Sequence, residues 1–260
     1  MHYLFDRIEK VLERLRVAKR IFLFLDYDGT LTPIVSQPEE AYLSGEMKRL
    51  LANLKRNPKI LMAIVSGRSL RDIQSRIGLK GISYVGNHGL EVFIPKHGRK
   101  VLVSKKISQE LVDMRDRLNN QLRDLKGVVL EDKGCVLALH YRNVDPRCVP
   151  PILMEIKKEI KRSMSPLALG LGKYVFEIRP QAPVNKGIAV LELLSQADQG
   201  GLLPLYMGDD QTDEDAFRAL RRRGITVLVG FARPSSARYY IKDPSEVFQF
   251  LKVIQKEVRS

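Results

Sequence analysis

The sequence has few cysteines and no long apolar run, and both absences narrow the classes it can belong to. Cys135 and Cys148 are its only cysteines, and their spacing fits neither a CxxC zinc site nor a disulfide framework. The longest apolar runs, such as 21–25 and 60–65, have the length of strands and fall short of the roughly 20 residues that a membrane helix needs. The first residues form a charged amphipathic stretch without the apolar region of a signal peptide. We therefore expect a protein of the reducing cytoplasm that does not contact membranes.

The charge excess is positive but evenly spread. The chain carries 44 Lys/Arg and 30 Asp/Glu, a formal net charge of +14. Residues 106–180 hold 14 basic and 10 acidic side chains and the rest of the chain holds 30 and 20, so the charge per residue is about the same in both parts. A nucleic-acid-binding protein is a remote alternative, because such a protein concentrates basic groups on one face and stacks bases on aromatic side chains. We expect instead a solvated surface that attracts anionic substrates.

The two outer parts of the chain alternate between strand-like and helix-like patterns. Short apolar runs rich in branched residues predict strands at 21–25, 60–65, 82–86, 204–207 and 225–229. Apolar side chains at helical spacing lie between these strands, in the segments 43–54, 69–77, 188–194 and 216–220. In the third of these helices the periodic positions are Ile188, Leu191 and Leu194. Strands that alternate with helices predict a parallel sheet covered on both faces.

The middle of the chain has a different order of elements. The pattern predicts a helix, two strands, a second helix and two more strands, at 108–125, 128–131, 136–141, 149–163, 167–169 and 174–179. The segments 132–134 and 170–172 are predicted to turn between paired strands. This αββαββ order is typical of a small α+β module. We therefore predict a cap domain of residues 106–180, inserted into an α/β core of residues 1–105 and 181–260.

Carboxylates gather at the ends of two predicted strands. Asp26 and Asp28 follow the first strand, and Gly29 after them permits a sharp turn. Asp209 stands at the end of the fourth strand and begins a run of five acids in seven residues. Turn formation or a helix N-terminus explains each motif by itself, but charges this close repel one another unless a cation lies among them. Because ligands bind outside the carboxyl ends of the strands in open α/β sheets, Asp26 and Asp209 are placed to share a hard cation such as Mg²⁺.

Two further motifs stand at the same predicted edge. Ser66 and Gly67 follow the second strand, and a hydroxyl followed by glycine at the start of a helix is a ready anion site. Lys186 opens another predicted helix and can reach a phosphate as a point charge. Taken alone, the first motif is better explained as a helix N-cap and the second as a surface lysine. Together with Asp26 and Asp209 they predict a single phosphate site.

The motifs, taken together, resemble one protein family across essentially the whole chain. DYDGTLTP, SGR, NHGLE, LALHYR, FEIRP, NKG and GDDQTDEDAF are similar to the motifs of the trehalose-6-phosphate phosphatases, within the haloacid dehalogenase-like (HAD) superfamily. The resemblance implies a Rossmann-like parallel-sheet core with an inserted αββαββ cap. It also implies a phosphoric monoester hydrolase that uses Mg²⁺ and converts trehalose 6-phosphate to trehalose and phosphate. Sucrose phosphate or mannosylglycerate phosphate is the alternative substrate within the same superfamily.

The resemblance further implies roles for individual residues. Asp26 is the nucleophile that forms an aspartyl-phosphate, and Asp28 is the general acid and base. Asp26, Asp209 and the main-chain carbonyl of Asp28 hold Mg²⁺, while Ser66 and Lys186 bind the phosphate. The remaining implied roles are support of the metal or of Lys186 by Asp210 and Asp213, and substrate binding by Arg68, Asn87, His88, Gly89, Glu131, Lys133 and Glu177.

Simpler structural roles stay open for some of these residues. The segment from Glu131 to Lys133 fits a hairpin turn as well as a sugar-binding site. His88 and His140 fit ordinary structural histidines, His140 especially because it lies in an apolar strand. The sequence does not define an oligomeric state and is compatible with a monomer.

Overall fold

The computed structural model describes residues 1–35, 37–172, 174–197 and 200–258. The chain divides into two compact units, Met1–Lys100 with Val184–Ser260 and Val101–Pro183. The strands in chain order are β1 (His2–Tyr3), β2 (Arg20–Asp26), β3 (Ile60–Val65), β4 (Ser83–Gly86), β5 (Glu91–Ile94), β6 (Gly98–Val101), β7 (Val129–Asp132), β8 (Leu137–His140), β9 (Leu167–Gly172), β10 (Val175–Pro180), β11 (Leu202–Gly208), β12 (Ile225–Val229) and β13 (Tyr239–Ile241). The α-helices are α1 (Ile8–Val17), α2 (Gly45–Arg56), α3 (Leu70–Ile77), α4 (Lys105–Leu122), α5 (Val149–Arg162), α6 (Lys186–Ala197), α7 (Glu214–Leu220) and α8 (Pro244–Glu257).

A nine-stranded sheet organises the first unit, in the order β1-β13-β12-β11-β2-β3-β4-β5-β6. The pairs from β1 to β4 are parallel and β4–β5 is antiparallel. The central strands β2, β3 and β11 consist almost entirely of buried apolar residues, as expected for parallel strands covered on both faces. Asp26 is the last residue of β2 and pairs with Val65. Its carboxylate therefore lies at the carboxyl edge of the sheet, near the middle of the strand order. The predicted fold class is confirmed.

The second unit has its own sheet and its own core. Four strands in the order β7-β8-β10-β9 pair antiparallel, and α4 and α5 supply the helices of the predicted αββαββ order. Leu137, Leu139, Phe176 and Ile178 are buried in a cluster with apolar side chains of both helices. Side chains alternate between the two faces of a strand, so the neighbouring residues on the other face are left outside this core.

One turn and one helix face differ from the sequence prediction. The segment 170–172 was predicted as a hairpin turn, but it forms the last part of β9, where Gly170 pairs with Glu177. In α6 the predicted positions Ile188 and Leu191 are 41% and 37% exposed, whereas the third, Leu194, is buried together with Val190 and Leu193. The helix is therefore rotated relative to the face that the periodicity indicated.

Within the described ranges, none of the helices combines the length and the apolar character that a membrane span requires.

Candidate active site

The turn after β2 places two aspartates at the carboxyl edge of the sheet. Asp26 is buried, and the next residue, Tyr27, is fully buried with its hydroxyl donating to the carbonyl of Ala41 at 2.7 Å. The chain then turns sharply at Gly29, whose φ is +79°. A Cβ atom at this position would overlap the carboxylate of Asp209, so the glycine is needed both for its conformation and for space. The motif thus brings Asp209, from the end of β11, against the loop that carries Asp26.

Lys186 links two of the carboxylates. Its Nζ donates to Asp26 Oδ1 at 2.8 Å and to Asp213 Oδ1 at 2.7 Å, and all three side chains are buried. The hydroxyl of Tyr206, a buried residue of β11, donates to the same Oδ1 atom of Asp213 at 2.6 Å. Carboxylate oxygens of Asp26, Asp209 and Asp213 all lie within 4.8 Å of one another. We call these three aspartates with Lys186 the acidic cluster.

The electrostatics of the acidic cluster are unbalanced. Burial raises the pKa of Asp26 well above its usual range, although Lys186 opposes the shift. Burial and the charge of Asp213 raise the pKa of Asp209 to about 6. Burial acts to lower the pKa of Lys186, but Asp26 and Asp213 outweigh it and raise that pKa above its usual value. Three carboxylates therefore share one ammonium group, and a bound cation would relieve the remaining negative charge.

Asp210 and Asp213, paired in the sequence prediction, have different places in the structure. Asp213 belongs to the acidic cluster, and its Oδ2 also accepts the N–H of Asp210 at 2.9 Å. The Asp210 side chain instead caps the helical turn that follows, where it accepts the N–H of Gln211 at 2.6 Å. Gly208 leaves the space that Asp213 fills, because a Cβ there would overlap the Asp213 side chain.

The turn after β3 carries Ser66 and Arg68. Ser66 is buried, and its Oγ accepts the N–H of Arg68 at 3.1 Å. The Arg68 guanidinium donates to both carboxylate oxygens of Asp28, at 2.8 and 2.6 Å, and to Asp72 at 3.0 Å. Arg68, predicted to bind substrate, thus holds the predicted general acid in this structure.

Asn87, His88 and Gly89 form a left-handed turn after β4, with φ angles of 49°, 55° and 110°. A Cβ at Gly89 would approach the carbonyl of Asn185 to 2.5 Å, so this turn lies directly against the start of α6. The His88 ring lies close over Gly67 in the same way. The three core motifs that contain Ser66, Asn87 and Lys186 are therefore neighbours. Asn87 donates to Glu91 at 2.6 Å, a buried acid of the NHGLE motif to which the sequence prediction gave no role.

The predicted sugar-binding residues of the second unit share one face of its sheet. Glu131, Ala138, Glu177 and Gly170 pair in one row across the four strands. Ala138 and Gly170 are small, so no large side chain of this row lies beside the two glutamates. We call this the polar row.

Two charged contacts border the polar row. Lys133 donates to Glu177 at 3.1 Å, and Glu131 lies 3.0 Å from His140 Nε2. The segment from Glu131 to Lys133 also makes the hairpin turn that was the alternative interpretation, since the N–H of Lys133 donates to Val136. The two roles are compatible. His140 is a partly exposed partner of Glu131, a contact that its apolar strand did not indicate.

Arg233 and Tyr206 are site residues that the sequence prediction missed. Arg233 Nη2 donates to the main-chain oxygen of Asp209 at 2.5 Å from the loop after β12. One indication of Arg233 was present in the sequence: it follows shortly after β12, a strand that ends at the same carboxyl edge of the sheet as β2 and β11. Tyr206 had no such signal, because a tyrosine inside an apolar strand is typical of any core.

Comparison with known proteins identifies the family. The sequence model of the trehalose-phosphatase family matches residues 24–245. An Arabidopsis thaliana protein named probable trehalose-phosphate phosphatase I is 34% identical over an alignment 263 residues long, which covers 95% of this chain and 70% of that protein. The solved C-terminal domain of C. albicans trehalose-6-phosphate phosphatase has a TM-score of 0.71 at 26% identity, covering 96% of this chain and 97% of that one. Aspergillus fumigatus trehalose-6-phosphate phosphatase has a TM-score of 0.66 at 27% identity, with 96% and 97% covered. The chain therefore belongs to the trehalose-phosphatase family, and its HAD-like core with an inserted cap is the fold of that family.

Proposed function

We propose that the chain hydrolyses trehalose 6-phosphate to trehalose and phosphate, with Mg²⁺ as its cofactor. Membership of the trehalose-phosphatase family supports the substrate. One structural observation carries the chemistry: the buried Asp26 is held by Lys186 beside Asp209 and Asp213 at the carboxyl edge of the sheet. A phosphate dianion needs a nucleophilic carboxylate to attack it and a positive charge to offset its own, and Asp26 and the ammonium group of Lys186 supply these.

The acidic cluster fits a magnesium ion. Mg²⁺ takes oxygen ligands and binds through one or two carboxylates together with substrate phosphate. Asp26 and Asp209 would hold it together with the main-chain carbonyl of Asp28, while Asp213 stays on Lys186 and Tyr206. Bound there, Mg²⁺ supplies positive charge that favours the ionised form of Asp26 and neutralises the phosphate oxygens.

The protein side chains then divide the reaction between them. Asp26 attacks the phosphorus and forms an aspartyl-phosphate, while Lys186 and the Ser66 hydroxyl bind phosphate oxygens. Asp28 protonates the departing sugar oxygen and afterwards takes a proton from the water that attacks the phosphorus of the aspartyl-phosphate, which releases inorganic phosphate and regenerates the Asp26 carboxylate. Arg68 stays anchored on Asp72, so its contact with Asp28 can pass to the substrate when Asp28 takes up a proton.

Substrate selection is proposed to lie in two groups of residues. Asn87, His88 and Gly89 supply polar groups from the core, next to the turn that carries Ser66. Glu131, Lys133 and Glu177 supply charged groups from the unit Val101–Pro183, which we propose acts as the cap domain. Hydrogen bonds to ionised groups are stronger than those between neutral partners, which suits recognition of sugar hydroxyls.

Phosphate release from a panel of sugar phosphates tests this function. After removal of divalent ions with EDTA, we expect hydrolysis of trehalose 6-phosphate only when Mg²⁺ is added back. Glucose 6-phosphate and sucrose 6-phosphate should be much poorer substrates. Asp26→Asn should abolish turnover, since an amide is a far weaker nucleophile than a carboxylate.

Two results would contradict the proposal. Near-normal turnover of the Asp26→Asn variant would refute the nucleophile. A clear preference for sucrose 6-phosphate would leave the phosphatase chemistry standing and reassign the substrate.

A further inference from the structure

The peptide group between Asp209 and Asp210 is held at both of its polar atoms. Its carbonyl oxygen, which belongs to Asp209, accepts a hydrogen bond from Arg233 Nη2 at 2.5 Å. Its N–H, which belongs to Asp210, donates to Asp213 Oδ2 at 2.9 Å. The Asp209 carboxylate meanwhile lies against Gly29 and accepts from the Thr30 hydroxyl at 3.5 Å. A peptide plane that is held at both of its polar atoms is restrained from rotating, which restrains the main chain at Asp209 and so the direction of its Cα–Cβ bond.

The loop that carries Arg233 is itself anchored. Glu214, the first residue of α7, is buried, and its two oxygens accept from the Ser235 hydroxyl at 2.6 Å and from the Ser236 N–H at 2.8 Å. Ser235 Oγ in turn accepts the N–H of Ala237 at 3.0 Å. The run of acids after β11 thus presents Asp209 at one end and, at the other, holds the loop that returns Arg233 to Asp209.

We propose that Arg233 is a positioning residue that orients Asp209 for a divalent cation. It acts through the main chain of Asp209, and its single positive charge would by itself repel a cation. The inference rests on the proposed function, in which Asp209 helps to hold Mg²⁺. Groups that orient metal ligands in this way typically change metal affinity or activity by 10- to 100-fold when they are removed.

Binding of Mn²⁺ in the absence of substrate tests the role of Arg233. Mn²⁺ replaces Mg²⁺ in oxygen sites, and the electron paramagnetic resonance signal of the free ion gives its dissociation constant directly. We expect Arg233→Ala to weaken Mn²⁺ binding about tenfold. Simple electrostatics predicts the opposite sign, because losing a nearby positive charge strengthens cation binding. Saturating Mg²⁺ should restore most of the phosphate release of this variant.

Arg222→Ala is the matched control. Arg222 is exposed and lies in the turn between α7 and β12, at the amino edge of the sheet, so its loss makes the same change of charge far from Asp209. We expect its Mn²⁺ affinity to equal that of the wild type. Arg233→Lys keeps a donor and a charge, and should recover part of the lost affinity.

Glu214→Gln tests the anchor while keeping Arg233. An amide accepts through one oxygen only, so the hold on Ser235 and Ser236 is reduced and Mn²⁺ binding should weaken less than in Arg233→Ala. Thermal unfolding checks that each variant is folded. Unchanged or tighter Mn²⁺ binding by folded Arg233→Ala would overturn the inference. A wild-type protein that binds neither Mn²⁺ nor Mg²⁺ would overturn the proposed function itself.

Discussion

At the scale of single residues, the acidic cluster holds more negative charge than its one lysine neutralises. Lys186 neutralises one charge, while Asp26, Asp209 and Asp213 carry three when all are ionised. Burial raises the pKa of the Tyr206 hydroxyl well above its usual value, and the charge of Asp213 adds to the shift, so this group remains a hydrogen-bond donor. Unpaired buried charge reduces stability, and it persists in proteins mainly where function needs it.

This excess of negative charge predicts how the free energy of unfolding depends on pH through the titration of Asp209. Its pKa is about 6 in the folded chain against a usual 3.8, so the folded state binds this proton more tightly than the unfolded state. The cation-free protein should therefore lose stability from this group as the pH rises from about 4 to 6. Asp209→Asn has no charge to gain and should not show this loss. Across that pH range we expect the free energy of unfolding of the variant to rise by on the order of 1 kcal/mol relative to the wild type, a figure that allows for the partial exposure of Asp209.

Urea unfolding in EDTA at pH 4.5 and pH 7 measures this difference. Asp6→Asn, at an exposed position of the same unit, is the control and should follow the wild type at both pH values. Added Mg²⁺ should stabilise the wild type at pH 7 and the Asp209→Asn variant far less. The stability difference between Asp209→Asn and wild type could instead be the same at both pH values. That result would show that folding does not raise the pKa of Asp209.

At the scale of elements, strand bounds could be predicted where apolar runs stop abruptly. The strands β3 and β12 have the predicted bounds, because polar residues or glycine border both runs. The strand predicted from Pro204 begins earlier, at Leu202. Proline is tolerated there because β12 joins β11 only at Leu205, so Pro204 needs a partner on one side alone. The face of α6 could not be predicted, because it depends on which helix packs against it.

The same distinction applies to the site. That Asp26 and Asp209 lie together could be predicted because parallel strands end at one edge, and a strand end can be recognised in a sequence. Lys186 is the first residue of a helix, so its predicted place beside them rests on the NKG motif. Arg68 bound to Asp28 and Arg233 bound to the main chain of Asp209 could not be predicted. Both are contacts between loops whose paths only the folded chain defines.

The close approach of α6 and α7 gives a prediction at this scale. A Cβ at Gly187 would lie 2.5 Å from the main-chain oxygen of Asp215, so Gly187→Ala must separate the two helices. Alanine favours a helix over glycine by about 1 kcal/mol, but overpacking against backbone costs roughly 1–3 kcal/mol. We expect a net loss of stability, and a larger loss of activity because the preceding residue is Lys186.

Gly45→Ala is the matched control for this substitution. Gly45 also stands at the start of a helix, and the nearest atom to an added Cβ is the flexible end of Arg49 at 3.6 Å. Thermal unfolding and phosphate release should both be close to wild type for Gly45→Ala. Equal behaviour of the two variants would contradict the close helix approach.

At the scale of the whole molecule, the proposed chemistry and the proposed substrate recognition lie in different units of the chain. The acidic cluster and the Ser66 turn belong to the first unit, and the polar row with Lys133 belongs to the second. Each unit has a core of its own. Substitutions in the polar row should therefore change which substrate is bound without changing how phosphate is transferred.

Glu131→Ala tests this division. We expect the KM for trehalose 6-phosphate to rise about tenfold, the loss of one hydrogen bond to a charged group, while hydrolysis of p-nitrophenyl phosphate stays near wild type. Asp124→Ala removes an exposed acid elsewhere in the same unit and should leave both substrates unaffected. Equal losses on both substrates would show that Glu131 acts on stability or on the chemistry and does not recognise the sugar.

The position of β2 between β3 and β11 has a consequence for synthesis on the ribosome. Asp26 and Lys186 are 160 residues apart, and β11 lies later still, so one edge of β2 has no neighbour until most of the chain has been made. At ordinary elongation rates this interval lasts on the order of ten seconds. The unit Val101–Pro183 is complete before that edge is covered. A nascent chain in this interval exposes an apolar strand edge, the kind of surface that chaperones bind and that aggregation exploits.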